Sequence, residues 1–404
     1  MVSVKWFANA GVSYPQGFKS SGFVAGIKPS GKADLGILYS EKETQTWGVF
    51  TKNATTAAPV LLCQKHLSLG HDIRAIVVNS GNANACTGLQ GKTDAQSMVD
   101  SLATCANIPS TSCLVSSTGI IGRKLPIDQI KASIPEAFAA LQENACHDFA
   151  EAILTTDTKI KSMGVALETS RGTIRIGGCS KGAGMIHPNM ATMLAYVTSD
   201  IALDPIFESE FKAIVDDSFN AITVDGDTST NDTCIFMANA ASKISYTDLS
   251  LEEQGAFRRA LFDLFAHLAK EIVKDGEGAT KFVSLKVEEA KNKNYARRLG
   301  RYVANSKLVK TAFFGQDPNW GRLIASIGAF DEAMEINKVC IYLDSHPILL
   351  EGEPATTNLA LWEDVMKKPE FEIRVTLGNG NSKAEIWTCD LSYEYVKINA
   401  EYTT

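Results

Sequence analysis

The stretch KGAGMIHPNMATMLAYVTSD, Lys181 to Asp200, holds the residues best suited to covalent chemistry. An interior threonine is a poor nucleophile, because its hydroxyl is weak and its own nitrogen is tied up as an amide. Breaking the Ala191-Thr192 bond would free that nitrogen as an α-amine, with a reference pKa of roughly 7.7–8.0. Such an amine can take the hydroxyl proton without a histidine. The cut itself would be an N-to-O acyl shift, with the Thr192 hydroxyl attacking the Ala191 carbonyl. That reaction needs a small residue before the bond, a bend that exposes the carbonyl, and donors for the developing oxyanion. Ala191 meets the first need, and Gly182, Gly184 and Pro188 can supply the bend. On residue chemistry alone, an inert Ala-Thr pair in a glycine loop accounts for the stretch as well.

Other motifs offer weaker chemistry. GCSKG, Gly178 to Gly182, matches the G-x-S-x-G elbow of serine hydrolases and follows a strand-like run. The elbow needs a helix at once after Ser180, whereas Gly182, Gly184 and Pro188 follow. CTGLQGKT, Cys86 to Thr93, resembles the end of a phosphate loop, but Cys86 stands where the first glycine belongs. DGDTSTND, Asp225 to Asp232, has acidic spacing like a calcium loop yet lacks the glycine and terminal glutamate. A turn closed by its own side chains is expected there. Met185, Met190 and Met193 read as packing residues.

These residues must be positioned by a chain of 404 residues, enough for one large layered domain or two to three smaller ones. Apolar residues at 45% and charged residues at 21% fit a globular protein. A net charge of -7 argues against a nucleic-acid surface, and the short basic cluster ARRLGR at 296–301 reads as a solvated face. The nine cysteines form no C-x-x-C pair and the six histidines are dispersed, so neither a disulfide framework nor a metal site is expected. No apolar run reaches membrane-spanning length, and a cytoplasmic location is expected.

Short strands are predicted in SGFVAGI, DLGILYS, TWGVFTK, Ile73 to Val78, TIRIGG, KFVSLKVEEA, KVCIYLDS and EFEIRVTLGNG. Helical periodicity covers about Asp94 to Ala106, PIDQIKASIPEAFAAL, PIFESEFKAIVDDSFN and SLEEQGAFRRALFDLFAHLAKEIVKDG. The mixture lacks a regular βαβ alternation, which predicts an α+β layered sandwich rather than a doubly wound parallel sheet.

Several blocks in one order carry a resemblance. They are GFVAGIKPSGKADLGIL (22–38), VVNSGNANACTG (77–88), SSTGIIGRKLP (116–126), TTDT (155–158), the Lys181 stretch, ITVDGDTSTNDT (222–233), GEGATK (276–281), GQDPNWGR (315–322) and YVKINAEYTT (395–404). Together they resemble the ornithine acetyltransferase family, the self-cleaving glutamate N-acetyltransferases of arginine biosynthesis. The resemblance implies the layered α+β fold shared with self-processing aminopeptidases. It also implies cleavage into an α chain of 1–191 and a β chain of 192–404, and an α2β2 or larger assembly. Thr192 would take the acetyl group from N2-acetyl-L-ornithine and pass it to L-glutamate. Thr118 and Gly119 would be the oxyanion donors. Substrate contacts would fall on Thr155, with Thr156 as the alternative, and on Lys181, Thr192, Glu277, Asn399 and Thr404. No cofactor or metal is implied. Whether acetyl-CoA is a second donor stays open, as does a paralogue in a secondary pathway or an aminopeptidase or amidase of the same fold.

Lys181 read alone is a solvated lysine, or the partner of the α-carboxylate that both substrates share. Glu277 read alone is a turn carboxylate; as a site residue it favours cationic ornithine, which calls for a counterweight or water near it. Trp320 is expected to pack, and Arg322 with Asp317 is a candidate ion pair. VDGDTSTNDT is expected to act mainly as supporting structure, and NSGNANACTG as an active-site loop or a plain turn.

The mass of the purified chain under denaturing conditions tests the cut. Two fragments, one beginning at Thr192, are expected, and Thr192→Ala should leave a single intact chain. A processed Thr192→Ala protein would sink the mechanism.

Overall fold

A six-stranded sheet forms the middle of the computed structural model, which describes residues 2–187, 193–355 and 359–401. Its order is Ser3–Phe7, Lys161–Thr169, Gly172–Lys181, Leu194–Ser199, Thr233–Ala238 and Gln45–Phe50. All neighbours are antiparallel except Leu194–Ser199 with Thr233–Ala238. The runs LAYVTS and TCIFMA are buried throughout because both faces of this sheet are covered. Their side chains divide by the period of two: Ala195, Val197, Cys234 and Phe236 enter one core, while Leu194, Tyr196, Ile235 and Met237 enter another.

The second core lies toward a four-stranded sheet of Phe18–Phe23, Leu35–Ser40, Ala75–Asn82 and Cys113–Ile120. Helices Ala58–Ser68 and Cys146–Ala152 touch both sheets, and Gly88–Ala106 and Ile127–Ala139 pack together against the smaller one. The first core lies toward a seven-stranded sheet ordered Ile222–Thr223, Ser382–Cys389, Phe282–Ala290, Glu370–Thr376, Cys340–Leu343, His346–Leu350 and Glu353–Pro354. Between the two larger sheets runs helix Leu251–Lys274. Its start is fixed by a capping box: Ser250 Oγ accepts from Glu253 N–H and Ser250 N–H donates to the Glu253 carboxylate. Phe257, Leu261, Leu264, Phe265, Leu268 and Ile272 recur at helical spacing and are all buried.

The α+β layered sandwich expected from the sequence is therefore the observed architecture. The predicted helices appear at Gly88–Ala106, Ile127–Ala139, Glu208–Asp216 and Leu251–Lys274, the first beginning six residues earlier than its periodicity showed. Strands such as Lys161–Thr169 and helices Lys293–Ala304, Lys307–Phe314 and Trp320–Phe330 had not been predicted. Among the described residues no helix is long and apolar enough to cross a membrane.

Leu268 is fully buried and its side chain packs where Gly178 leaves no room for a Cβ. Leu268→Ala should cost roughly 2–5 kcal/mol, read as a lower urea midpoint; a change under about 1 kcal/mol would contradict this packing.

Candidate active site

A cavity of about 370 Å³ opens where strand ends of the central and four-stranded sheets meet the loops beside them. Its walls include Thr118, Gly119, Thr155, Thr156, Lys181, Glu277 and Asn399, so every described residue expected at the site is in it. Ala191, Thr192, Thr404 and the bend residue Pro188 lie outside the described residues. Met193 N–H, just after them in sequence, donates to Asp232 Oδ1 at 3.1 Å. Its neighbour Leu194 is paired with Lys181 across adjacent strands.

Lys181 ends the Gly172–Lys181 strand and is only 4% exposed, which removes the solvated-lysine reading. Its ammonium donates to Thr155 Oγ1 at 2.8 Å and to Thr118 Oγ1 at 3.2 Å. An ammonium has three donors and no acceptor. Both threonine oxygens must therefore accept, which leaves their hydroxyl protons to donate elsewhere, and one lysine donor remains for a ligand. Burial pushes the Lys181 pKa below the ordinary lysine value; Asp157 opposes that drop and Lys161 adds to it.

Asp157 lies in the TTDT loop and is fully buried at its side chain. Its Oδ1 accepts from Gly182 N–H at 2.6 Å and from Lys161 Nζ at 2.7 Å. Lys161 Nζ also reaches Asp275 Oδ2 at 2.5 Å, just past the end of helix Leu251–Lys274. Burial alone would raise the Asp157 pKa, but Lys181 and Lys161 outweigh it and hold the carboxyl at about 2.

Gly119 has φ of +130°, and a Cβ there would come within 2.4 Å of the Gly81 carbonyl carbon and 2.6 Å of Asn82 N. Only glycine lets the parallel strands approach so closely at the cavity rim. At Gly184 a Cβ would sit 2.4 Å from Glu277 Oε2, so a side chain there would have to move that carboxylate. The Glu277 N–H donates to Ala183 O at 2.9 Å, and Asn399 Nδ2 donates to Glu277 Oε2 at 2.8 Å. The direct hydrogen-bond partner beside Glu277 is thus the neutral Asn399 amide, with the Lys181 ammonium acting on it across the cavity.

VDGDTSTNDT does more than support. Asp225, Asp227, Thr228, Ser229, Thr230 and Asn231 line the cavity. Asp225 accepts from Met185 N–H at 2.6 Å and Ile186 N–H at 2.9 Å, holding the segment that leads toward Ala191. Burial raises its carboxyl to about 6 against those hydrogen bonds. Asn231 Nδ2 donates to Ala83 O at 2.6 Å and Ser117 O at 2.9 Å, joining the loop to the four-stranded sheet. Burial holds the Asp232 carboxyl well above the usual range, with Met193 N–H and Lys181 opposing. The loop is also closed by its own groups, Asp227 N–H on Asp225 Oδ1 at 3.1 Å and Asn231 N–H on Ser229 Oγ at 3.1 Å, as its turn residues predicted. No metal-binding cluster occurs among the described residues.

The elbow disfavoured at Ser180 is absent, and the Arg322–Asp317 pair is not formed. Ser180 is fully buried in mid-sheet with its hydroxyl donating to Leu268 O at 3.3 Å, so no exposed elbow forms there. Arg322 donates to Leu308 O and Thr311 Oγ1 rather than pairing with Asp317, whose carboxylate accepts from Asn319. Trp320 packs against the core as expected. NSGNANACTG contributes Ala83 to the cavity wall and is pinned by Asn79 and Asn82 side-chain bonds.

The sequence reading missed Asp157, Lys161, Asp225, Asp232 and Asn231 as site residues. Two of the quoted blocks contained four of these residues, but only burial shows that a carboxylate or amide there is structural to the site.

The layered fold brings hydroxyls, a buried ammonium and glycine-framed strand ends together beside residue 193, groups that can hold a carboxylate and a developing oxyanion. Comparison with known proteins agrees: the ArgJ family model matches residues 19–404. The arginine biosynthesis bifunctional protein ArgJ of Chlorobaculum tepidum is 44% identical over 397 residues, covering 98% of both chains. That of Methylococcus capsulatus is 43% identical over 383 residues, covering 94% of this chain and 93% of its own. A crystal structure of ornithine acetyltransferase complexed with ornithine from Mycobacterium tuberculosis is 33% identical, with a TM-score of 0.43, covering 46% of this chain and 99% of that one. The chain belongs to the ArgJ family.

The Asp157 carboxyl gives a pH test. Its folded pKa of about 2 lies below the unfolded value near 3.9, so it stabilises the fold above about pH 4 and that contribution is lost as pH falls through 2. Asp157→Asn should lower stability at neutral pH by roughly 3–5 kcal/mol and flatten the loss of melting temperature between about pH 4 and 2. An unaltered acid slope would refute the buried pairing.

Proposed function

We propose that this chain transfers an acetyl group from N2-acetyl-L-ornithine to L-glutamate through an acetyl ester on Thr192, after self-cleavage between Ala191 and Thr192. Acyl transfer in arginine biosynthesis follows from membership of the family. The observation that carries the finer reading is the convergence of Thr118, Gly119, Thr155, Lys181, Glu277 and Asn399 on one cavity.

In the first half-reaction the Thr192 hydroxyl attacks the acetyl carbonyl and its proton passes to the freed α-amine. The Thr118 hydroxyl, left with a free proton by the Lys181 donor, and the Gly119 N–H stabilise the oxyanion. The amide C–N bond breaks, the amine returns the proton to the leaving nitrogen, and ornithine departs. In the second half the glutamate amine attacks the ester carbonyl, the C–O bond breaks, and Thr192 regains its proton. The third Lys181 donor suits the α-carboxylate that both amino acids carry. Glu277 with Asn399 offers an acceptor to the ornithine ammonium and an amide donor to the glutamate carboxylate, so one pocket serves both charges. The same reading includes an α2β2 or larger assembly and a cytoplasmic location, and leaves open whether acetyl-CoA is a second donor.

Incubation of processed enzyme with N2-acetylornithine alone should release one equivalent of ornithine and leave the β chain heavier by one acetyl group, which glutamate then removes. Steady release of free acetate without glutamate would point to an amidase instead. Thr118→Ala should lower kcat by roughly 10²–10³ with little change in KM, measured on chain already processed.

A further inference from the structure

Beside Met193 lies a carboxyl group to which the proposed transfer reaction gives no task. Asp232 precedes strand Thr233–Ala238, whose parallel neighbour is Leu194–Ser199. Its surroundings are fixed by the backbone: Thr51 N–H donates to Asp232 O at 3.0 Å, and Thr233 N–H donates to Met193 O at 3.1 Å. Asp232 is 0% exposed, and its Oδ1 accepts from Met193 N–H at 3.1 Å. The other oxygen, Oδ2, is buried with no hydrogen-bond partner. The Thr51 hydroxyl beside it is no remedy, because Thr51 Oγ1 gives its one proton to Ser229 O at 2.7 Å.

A carboxylate taken out of water needs donors on both oxygens, and a neutral carboxyl needs an acceptor for its proton. Neither is present at Oδ2 among the described residues. Lys181 is the charged group acting on Asp232, but its ammonium donates to Thr118 and Thr155. The donor that fits comes from the chain itself. Residue 192 is bonded to Met193, and covalent geometry alone keeps its α-nitrogen within about 3.7 Å of the Met193 nitrogen. Cutting the bond before residue 192 turns that nitrogen from an amide with one N–H into an amine with two, or an ammonium with three.

We propose that Asp232 is a positioning residue for acetyl transfer: its unpartnered oxygen accepts a hydrogen bond from the α-amine of processed Thr192 and aims the nitrogen lone pair at the Thr192 hydroxyl. This role rests on the proposed transfer reaction. A buried aspartate behind the histidine of a serine hydrolase does the same work, orienting the base and stabilising the cation formed when the base takes the hydroxyl proton. The proton moves from the hydroxyl to the amine and on to the leaving nitrogen, and the carboxylate takes none. A residue that served only to anchor Met193 N–H would need one oxygen; the second, kept dry at the start of two strands, calls for a donor. A carboxylate beside the amine favours the ammonium, so the pair keeps its proton to higher pH than a free α-amine, and the base form appears only above that pH.

The wild-type enzyme is first checked for two fragments and for an acetyl group on the β chain after N2-acetylornithine. Failure there overturns the transfer reaction and this role with it; the remaining outcomes concern Asp232 alone. In the processed wild type, labelling of the Thr192 α-amine by acetic anhydride is followed against pH by the mass of the β-chain N-terminal peptide. The amine should titrate above the ordinary range of roughly 7.7–8.0, and this measurement decides the matter if a variant fails to fold. Asp232→Asn should lower kcat at least about 10²-fold, change KM for N2-acetylornithine less than about threefold, and move the acid limb of kcat/KM about one pH unit or more downward. Asp232→Glu, which keeps the carboxylate, should recover about tenfold or more of that loss. An Asp232→Asn chain that melts like wild type yet stays uncut, while Asp232→Glu is cut, supports the same contact with the nitrogen of residue 192. A wild-type amine titrating within or below the ordinary range, or an unmoved acid limb in processed Asp232→Asn, would overturn the proposal. So would an Asp232→Glu enzyme as impaired as Asp232→Asn at an equal loss of melting temperature, which marks an anchor for Met193 only.

Discussion

The site depends on a buried set of charges, Lys161 and Lys181 on adjoining strands with Asp157 and Asp275 from the flanking loop and helix end. Removing two ammonium groups from water is costly unless carboxylates and hydrogen bonds replace the lost solvation. Lys161 is held by both carboxylates, and Asp157 also accepts from the Gly182 backbone. This arrangement ties the central sheet, the TTDT loop and helix Leu251–Lys274 together at one point. The same field keeps Lys181 in place to orient two hydroxyls, so the stability of the core and the chemistry of the cavity share a cause.

The cavity draws on both sides of the proposed cut. Residues 83–185 provide the strand ends, hydroxyls and ammonium, and residues 225–399 provide the acidic loop, Glu277 and Asn399. The central sheet is built likewise, with Gly172–Lys181 and Leu194–Ser199 paired as neighbours. A backbone break between these strands leaves their ladder, two cores and interleaved helices in place.

Legibility followed the kind of signal. Long amphipathic segments such as Leu251–Lys274 announced themselves by period and cap. Lys293–Ala304 did not, although its apolar face is regular, because so many of its residues are charged. Lys161–Thr169 was missed because its burial is uneven and glycine interrupts it. The ordered blocks carried the family resemblance, and that resemblance implied Thr118, Gly119, Thr155, Lys181, Glu277 and Asn399. Asp157 and Asp232 were harder: nothing in a lone aspartate's surroundings along the chain says that it is buried.

By itself the sequence determined the class of fold and, through the order of its motif blocks, the family resemblance that grouped separated blocks around one site. These are properties of composition, local spacing and motif order, which do not require knowing what packs against what. Only the tertiary structure decided that Ser180 is inert in mid-sheet, that Arg322 binds backbone and hydroxyl instead of Asp317, and that Lys181 holds two threonines. It also placed Arg298 and Arg301 of the basic cluster along a cavity wall. Each of these rests on burial and on contacts between residues far apart in the chain, where desolvation sets whether a polar group is solvated, paired or poised.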